Sequence, residues 1–324
     1  MITLPEAKER AWSLAGSLSP APGLLAPDLR FFGPAPIGDR VGADAFLETV
    51  LAPLRRAMPA ARKRPYIYLG GQHQGHVWVS ATGNIEGELV SPWLGIPASH
   101  APGKLRFGEF YRFQGRQIDE IRCLFDVPGL AAQAGFELLP KFAGASQIPE
   151  GPQASVGIVK TPQDPGLTAA TRDLVRNMIV NGCNRLVGND VTSQGLERFW
   201  NEDMAWHGPW GIGSACGMNE FYSHAQDPSV RSFPGRKGSW PKVSFLAEGP
   251  VAGFVGWPSF IGDFTGEPFR GIPPTGGPIG KNVMDFYTCR GGRLHENWVL
   301  IDLIRFAADC GVDLMARLPE QPAE

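Results

Sequence analysis

The chain has 324 residues, 43% of them hydrophobic, which suits two domains of about 150 residues, each with a sizeable core. Its formal net charge of −2, with no Lys/Arg run, gives no electrostatic reason to expect nucleic acid or an anionic membrane as partner and fits a neutral or weakly polar ligand. Five widely spaced cysteines, never in a C-x-x-C pair, argue against a disulfide framework or a zinc knuckle and for a reducing compartment.

The N-terminus has no basic stretch followed by an apolar core, and no run of about 18 apolar residues occurs, so a soluble, cytoplasmic protein is expected. In chain order, "TLPE" reads as a helix start, with Thr3 as N-cap, Glu6 reaching back and Pro5 in the first turn. Glycines (41) and prolines (30) then punctuate short apolar runs, which favours strands and shaped loops. "GPAPIGDRVGADAF" from Gly33 meets "GPWGIGSACGMNEF" from Gly208, and "WVSATGNIEGE" from Trp78 meets "WPSFIGDFTGE" from Trp257. "GIP" recurs at Gly95 and Gly271, "EFYRF" at Glu109 meets "DFYTC" at Asp285, and "DEIRCLFDVPGLAAQAG" aligns without a gap on "HENWVLIDLIRFAADCG".

So many matches in one order indicate two copies of one fold. Copy one is expected over 1–145 and copy two over 167–324, with a linker at 146–166 inside the Pro-, Gly-, Ser- and Gln-containing stretch from Lys141 to Gly166. Copy two opens with the helical stripe of "TAATRDLVRNMIVNG", closed at Asn181-Gly182. Helices first and strands later predict an α+β unit, a curved antiparallel sheet wrapped on helices with a pocket at its open end.

The chain's last strand carries most of the candidate chemistry. Strict alternation from Leu294, with a Gly291-Gly292 hairpin loop, sets Asp285 opposite Trp298 and Tyr287 opposite Glu296. One face then carries Asp285, Tyr287, Glu296, Trp298 and Asp302, a pocket lining of acids, a phenol and an indole. Asp302 also stands where a helix N-cap belongs, so capping and acid/base work both remain open for it. In copy one the counterparts are Glu109, Tyr111, Glu120, Arg122 and Asp126, with Arg122 in the place of Trp298 and able to pair with Glu120 or Asp126. His207 in "AWHGPWG", matched by Phe32, is a second candidate. His73 and His76 lack a third ligand and a helical frame for metal.

His207-Gly208-Pro209, Gly266-Glu267, Gly271-Ile272-Pro273-Pro274-Thr275-Gly276 and Glu296-x-Trp298-x-x-x-Asp302, in that order, resemble the SnoaL-like polyketide cyclase (ester cyclase) family of the nuclear transport factor 2-like superfamily. The resemblance implies two tandem cone-shaped domains and a cofactor-free, metal-free pocket for a hydrophobic carbonyl or aromatic small molecule. It implies that Asp302 is the acid/base group of an aldol ring closure or isomerisation, with His207 or Tyr287 donating to an enolate oxygen and Trp298 shaping the pocket. A histidine frequent in the family's glycine-glutamate strand is replaced here by Phe264 and Ile85. Copy one would be a structural partner in an intrachain pseudo-dimer, with a homodimer optional. The alternative is a non-catalytic binding or assembly protein of the same fold.

Overall fold

The computed structural model describes residues 2–319 apart from 141, 143, 146–148, 154–155, 235 and 239–242; seven of these fall in the expected linker stretch, so that part of it lies outside the described residues. The first half runs from helix α1 (Leu4–Ala15) through strands β1 (Leu25–Phe32) and β2 (Arg40–Val41), helices α2 (Ala43–Phe46) and α3 (Ala52–Ala57), and strands β3 (Arg62–His73), β4 (His76–Glu88), β5 (Pro102–Gln114) and β6 (Gln117–Phe125), to α4 (Val127–Gln133). The second half repeats this order as α5 (Pro165–Asn181), β7 (Trp200–His207), β8 (Ser214–Cys216), α6 (Gly217–Phe221), α7 (Asp227–Ser232), β9 (Lys237–Gly238), β10 (Val243–Glu248), β11 (Val251–Asp263), β12 (Pro278–Arg290), β13 (Arg293–Ile301) and α8 (Leu303–Asp309). Among the described residues no helix is long and apolar enough to cross a membrane.

Local signals act as the sequence suggests. The Thr3 hydroxyl accepts from the Glu6 N–H at 3.4 Å and caps α1. Helix α5 starts at Pro165, ahead of the expected Thr168, because Asp164 caps it by accepting from the Leu167 N–H at 2.7 Å. The repeat extends to backbone detail: single π-turns at Leu47–Leu51 and Tyr222–Gln226 occupy matched positions. Leu94-Gly95 and Arg270-Gly271 also match, as tight turns with φ of 52° and 80° in one copy and 52° and 77° in the other.

Each half builds one α+β unit whose sheet has the same order, β2-β1-β6-β5-β4-β3 in the first and β8-β7-β13-β12-β11-β10 in the second, with β9 added on β11. The sheets are mixed, which corrects the wholly antiparallel expectation: β1 runs parallel to β6, and β7 to β13. These early strands follow a helix and lie beside the last strand of their own unit. An irregularity in the β11–β12 pairing between Gly256 and Phe260 bends β11, and only glycine fits at 256, since a Cβ would lie 2.1 Å from that of Ser259.

The convex faces of the two sheets pack together through Ile67, Leu69, Phe110, Leu246, Phe286 and Leu300. Phe110 and Phe286, matched residues of the repeat, meet with ring centroids 5.7 Å apart. Full burial of each contributes roughly 1.5–3 kcal/mol. Gly108 permits this approach, because a Cβ there would sit 2.8 Å from the Leu300 side chain. Buried polar links tie the units as well: Lys8 of α1 pairs with Glu248 of β10 at 2.6 Å, and Arg106 of β5 donates to the carbonyls of His207, Gly208 and Val299 at 2.7–3.0 Å. Two described residues of the 141–166 stretch make backbone bridges to residues of the sheets, Ala145 at the end of copy one to Ser214 and Ile158 of the linker to Tyr68.

Candidate active site

Strand β12 directs Lys281, Val283, Asp285 and Tyr287 to the concave side of the second sheet, and β13 adds Asn297, Val299 and Ile301. Together with Trp200, Trp206, Phe221 and Phe254 they line a mainly apolar cavity of about 220 Å³. Asp285 is 7% exposed, accepts from the Asn297 amide at 3.2 Å, and has the Tyr287 side chain beside it on the same strand face. Burial pushes its carboxyl up to about 7, against the pull of the Asn297 amide and the neighbouring Tyr287 hydroxyl. Tyr287, between the rings of Trp200 and Phe254 at 6.0 and 6.2 Å, is raised well above the usual phenol value by burial and by the charge of Asp285.

The expected pocket face is half corrected. Cys289 does pair with Leu294, but a bulge makes His295 an extra residue, so that Thr288 faces Glu296, Tyr287 faces Asn297, Phe286 faces Trp298 and Asp285 faces Val299. A one-residue slip turns every later side chain to the other side. Glu296 and Trp298 therefore lie on the convex face, away from Asp285 and Tyr287. There Glu296 accepts from the Gln153 N–H at 2.9 Å and from the Thr288 hydroxyl at 2.9 Å, and the Trp298 indole donates to the Glu150 carbonyl at 3.1 Å. Both hold the linker. His207 lies on this face too, 5.1 Å from the Trp298 ring, and burial together with Arg106 pushes it down to about 4, so the imidazole is neutral.

Asp302 caps α8, accepting from the Arg305 N–H at 3.1 Å, and its second oxygen accepts from the Ala35 N–H of the first unit, also at 3.1 Å. Asp126 does the same in reverse, capping α4 through the Gly129 N–H at 3.2 Å and accepting from the Trp210 N–H of the second unit at 2.9 Å. The matched GPA and GPW loops thus each dock on the other unit's capping aspartate. Asp302 lines a separate cleft of about 210 Å³ with Trp257, Pro258, Asn282, Arg305 and Asp309, and burial raises it to about 6.

In the first unit the concave face is occupied by side chains. Glu109, the counterpart of Asp285, forms a buried ion pair with Lys63 and accepts from the Tyr111 hydroxyl, while the Lys63 amine also donates to the Leu14 carbonyl at 2.9 Å and lies 4.6 Å from the Phe107 ring centre. Glu120 and Arg122 sit on the convex side, paired at 2.9 Å, and Arg112 joins Glu120 at 3.0 Å. His73 and His76 face each other across the β3–β4 hairpin.

Two cavity residues escaped the sequence reading. Lys281, 4% exposed, is caged by Phe269, Phe233 and Phe306, with its amine 3.6, 4.0 and 4.6 Å from their ring centres. Arg236 lies beside it and donates to Gln226 and Ser229. Their signal was the spacing of Lys281 and Asp285, four apart on one strand face. Phe264, at the position where the resemblance led to a histidine being expected, stacks on Phe233 at 4.6 Å and completes this aromatic cluster.

Residues 184–310, in the second unit, match the model of the SnoaL-like polyketide cyclase family, to which that unit is therefore similar. No curated protein matches the chain. Among solved structures, AclR of Streptomyces galilaeus, a candidate hydroxylase, is 17% identical over 44% of this chain and 97% of its own, with a TM-score of 0.35. IdmH of Streptomyces antibioticus, a candidate polyketide cyclase, is 18% identical over 41% and 99%, with a TM-score of 0.33. An NTF2-like protein of Burkholderia xenovorans is 16% identical over 44% and 96%, with a TM-score of 0.32.

Proposed function

We propose that the second unit holds a hydrophobic carbonyl compound in its concave cavity and moves a proton on it without a cofactor, in the manner of an aldol cyclisation or isomerisation, with Asp285 as the acid/base group. The observation that carries this reading is a carboxyl inside an apolar cavity, raised to about 7, where it can take and return a proton at neutral pH. Tyr287, next to it and protonated across the working range, is positioned to donate to a developing enolate oxygen. The first unit serves as a structural partner in an intrachain pseudo-dimer, which leaves a homodimer optional.

Asp302 supports a second reading, because it borders its own cleft and is raised to about 6. Its two backbone donors and its place between the units favour a structural role. Deuterium uptake alpha to the carbonyl of a probe ketone such as 1-tetralone, followed by NMR at pD 7, separates the two. Asp285→Asn is expected to lose about 10²–10⁴-fold in exchange rate, while Asp302→Asn stays within about threefold of the unmodified chain. The reverse pattern would move the chemistry to Asp302. A chain inert towards every probe ketone, yet binding them in the cavity, would favour the non-catalytic alternative.

A further inference from the structure

Among the described residues three lysines are buried, and two of them have carboxylate partners. Lys8 pairs with Glu248 and Lys63 with Glu109. Lys281 is equally buried at 4%, yet among the described residues neither it nor its neighbour Arg236 has a carboxylate within ion-pair distance. The undescribed residues beside Arg236, at 235 and 239–242, include no acid. Both cations lie against one ring, that of Phe260, 5.6 and 5.8 Å from its centre, and both line the cavity that contains Asp285.

A buried cation without an anion is costly, and aromatic faces offset only part of that cost. In the first unit the position matching Lys281 is Leu105, fully buried, so the strand does not require an amine there for its own packing. Burial, with Arg236 close by, pushes the Lys281 amine well below its usual value, so this end of the apolar cavity holds one fixed cation, Arg236, an amine that takes up a proton when an anion arrives, and a place for that anion which the described residues do not fill.

We propose that the Lys281–Arg236 end of the cavity seats a ligand carboxylate, so that the molecule bound in the second unit is a hydrophobic acid whose reactive carbonyl lies farther along β12, toward Asp285. Strand geometry sets the scale: four residues at about 3.3 Å each separate the two ends by roughly 13 Å, which an aromatic or medium-chain oxo acid spans. The carboxylate would accept from the Lys281 amine and from Arg236, and the aromatic cage would cover its apolar neighbour atoms. The inference rests on the cavity being the ligand site proposed above, and not on Asp285 being the base.

The test is calorimetric binding of 8-oxo-8-phenyloctanoate, whose ketone and carboxylate are seven bonds apart, and of its methyl ester to the full chain. The acid is expected to bind about 10- to 100-fold more tightly than the ester, the factor for charged hydrogen bonds in a desolvated site. Lys281→Met, whose side chain suits an aromatic cage, is expected to cut that preference at least severalfold while the ester binds as before, and Arg236→Gln to do the same. An ester bound as tightly as the acid, an acid that fails to bind at millimolar concentration, or a preference that persists in both variants overturns the proposal. The acid-to-ester ratio of the unmodified chain needs no variant to fold. Full retention of deuterium exchange in Asp285→Asn, with the acid preference intact, would instead count against Asp285 as the base alone.

Discussion

At the scale of single residues, two aspartates that look alike in the sequence differ in what surrounds them. Asp302 has two backbone N–H donors and a loop of the other unit on its carboxylate, whereas Asp285 has a side-chain amide, a phenol and an apolar cavity. The Asp285 carboxyl, raised from 3.8 to about 7, makes a testable contribution to stability. In the unfolded chain it ionises at lower pH than in the folded one, so the contribution is fully present below about pH 4 and is lost as pH rises through about 7. Asp285→Asn, which keeps the shape and cannot ionise, is expected to stabilise the protein at pH 8 by up to roughly 4 kcal/mol and to change little near pH 4. Thermal melts at the two pH values check this, and an equal effect at both would mean that the carboxyl is not desolvated in the folded state.

At the scale of elements, the helix caps, the glycine hairpin at Gly291-Gly292 and the repeat were all legible, because each depends on residues close together in the chain or on identity at a fixed offset. The face of β13 was not. Strict alternation fails at His295, where the bulge adds one residue, and Asp119 is the same extra residue in β6. A signal did exist in β12, since Met284 and Phe286 alternate with Val283, Asp285 and Tyr287, and matching apolar partners across the hairpin assigns Trp298 to Phe286 and Leu300 to Met284. The two capping aspartates give a further prediction for the elements they start. Asp126→Ala and Asp302→Ala are each expected to lower stability in urea unfolding by about 1–2 kcal/mol, by similar amounts, because each loses a cap and a bond to the other unit's loop. A loss at Asp302 alone would break the equivalence that the repeat implies.

For the whole molecule, one fold used twice gives two different interiors. The first unit fills its concave face with Lys63, Glu109 and Tyr111, and the second keeps a cavity of about 220 Å³ around Lys281, Asp285 and Tyr287. The sequence hinted at this division through Arg122 in the place of Trp298, but for the wrong reason, since both residues lie on the faces where the sheets meet or the linker packs. The difference lies instead in Glu109 against Asp285 and Leu105 against Lys281, positions whose partners come from distant strands and are set only by the register. The central claim, that ligand and proton transfer belong to Asp285, is tested most directly by following the side-chain carboxyl carbons of ¹³C-labelled aspartate by NMR across pH, with and without 8-oxo-8-phenyloctanoate. The account predicts that the Asp285 signal titrates near pH 7 and moves on ligand addition while that of Asp302 stays in place. A ligand-dependent shift at Asp302, with Asp285 unmoved, would contradict it.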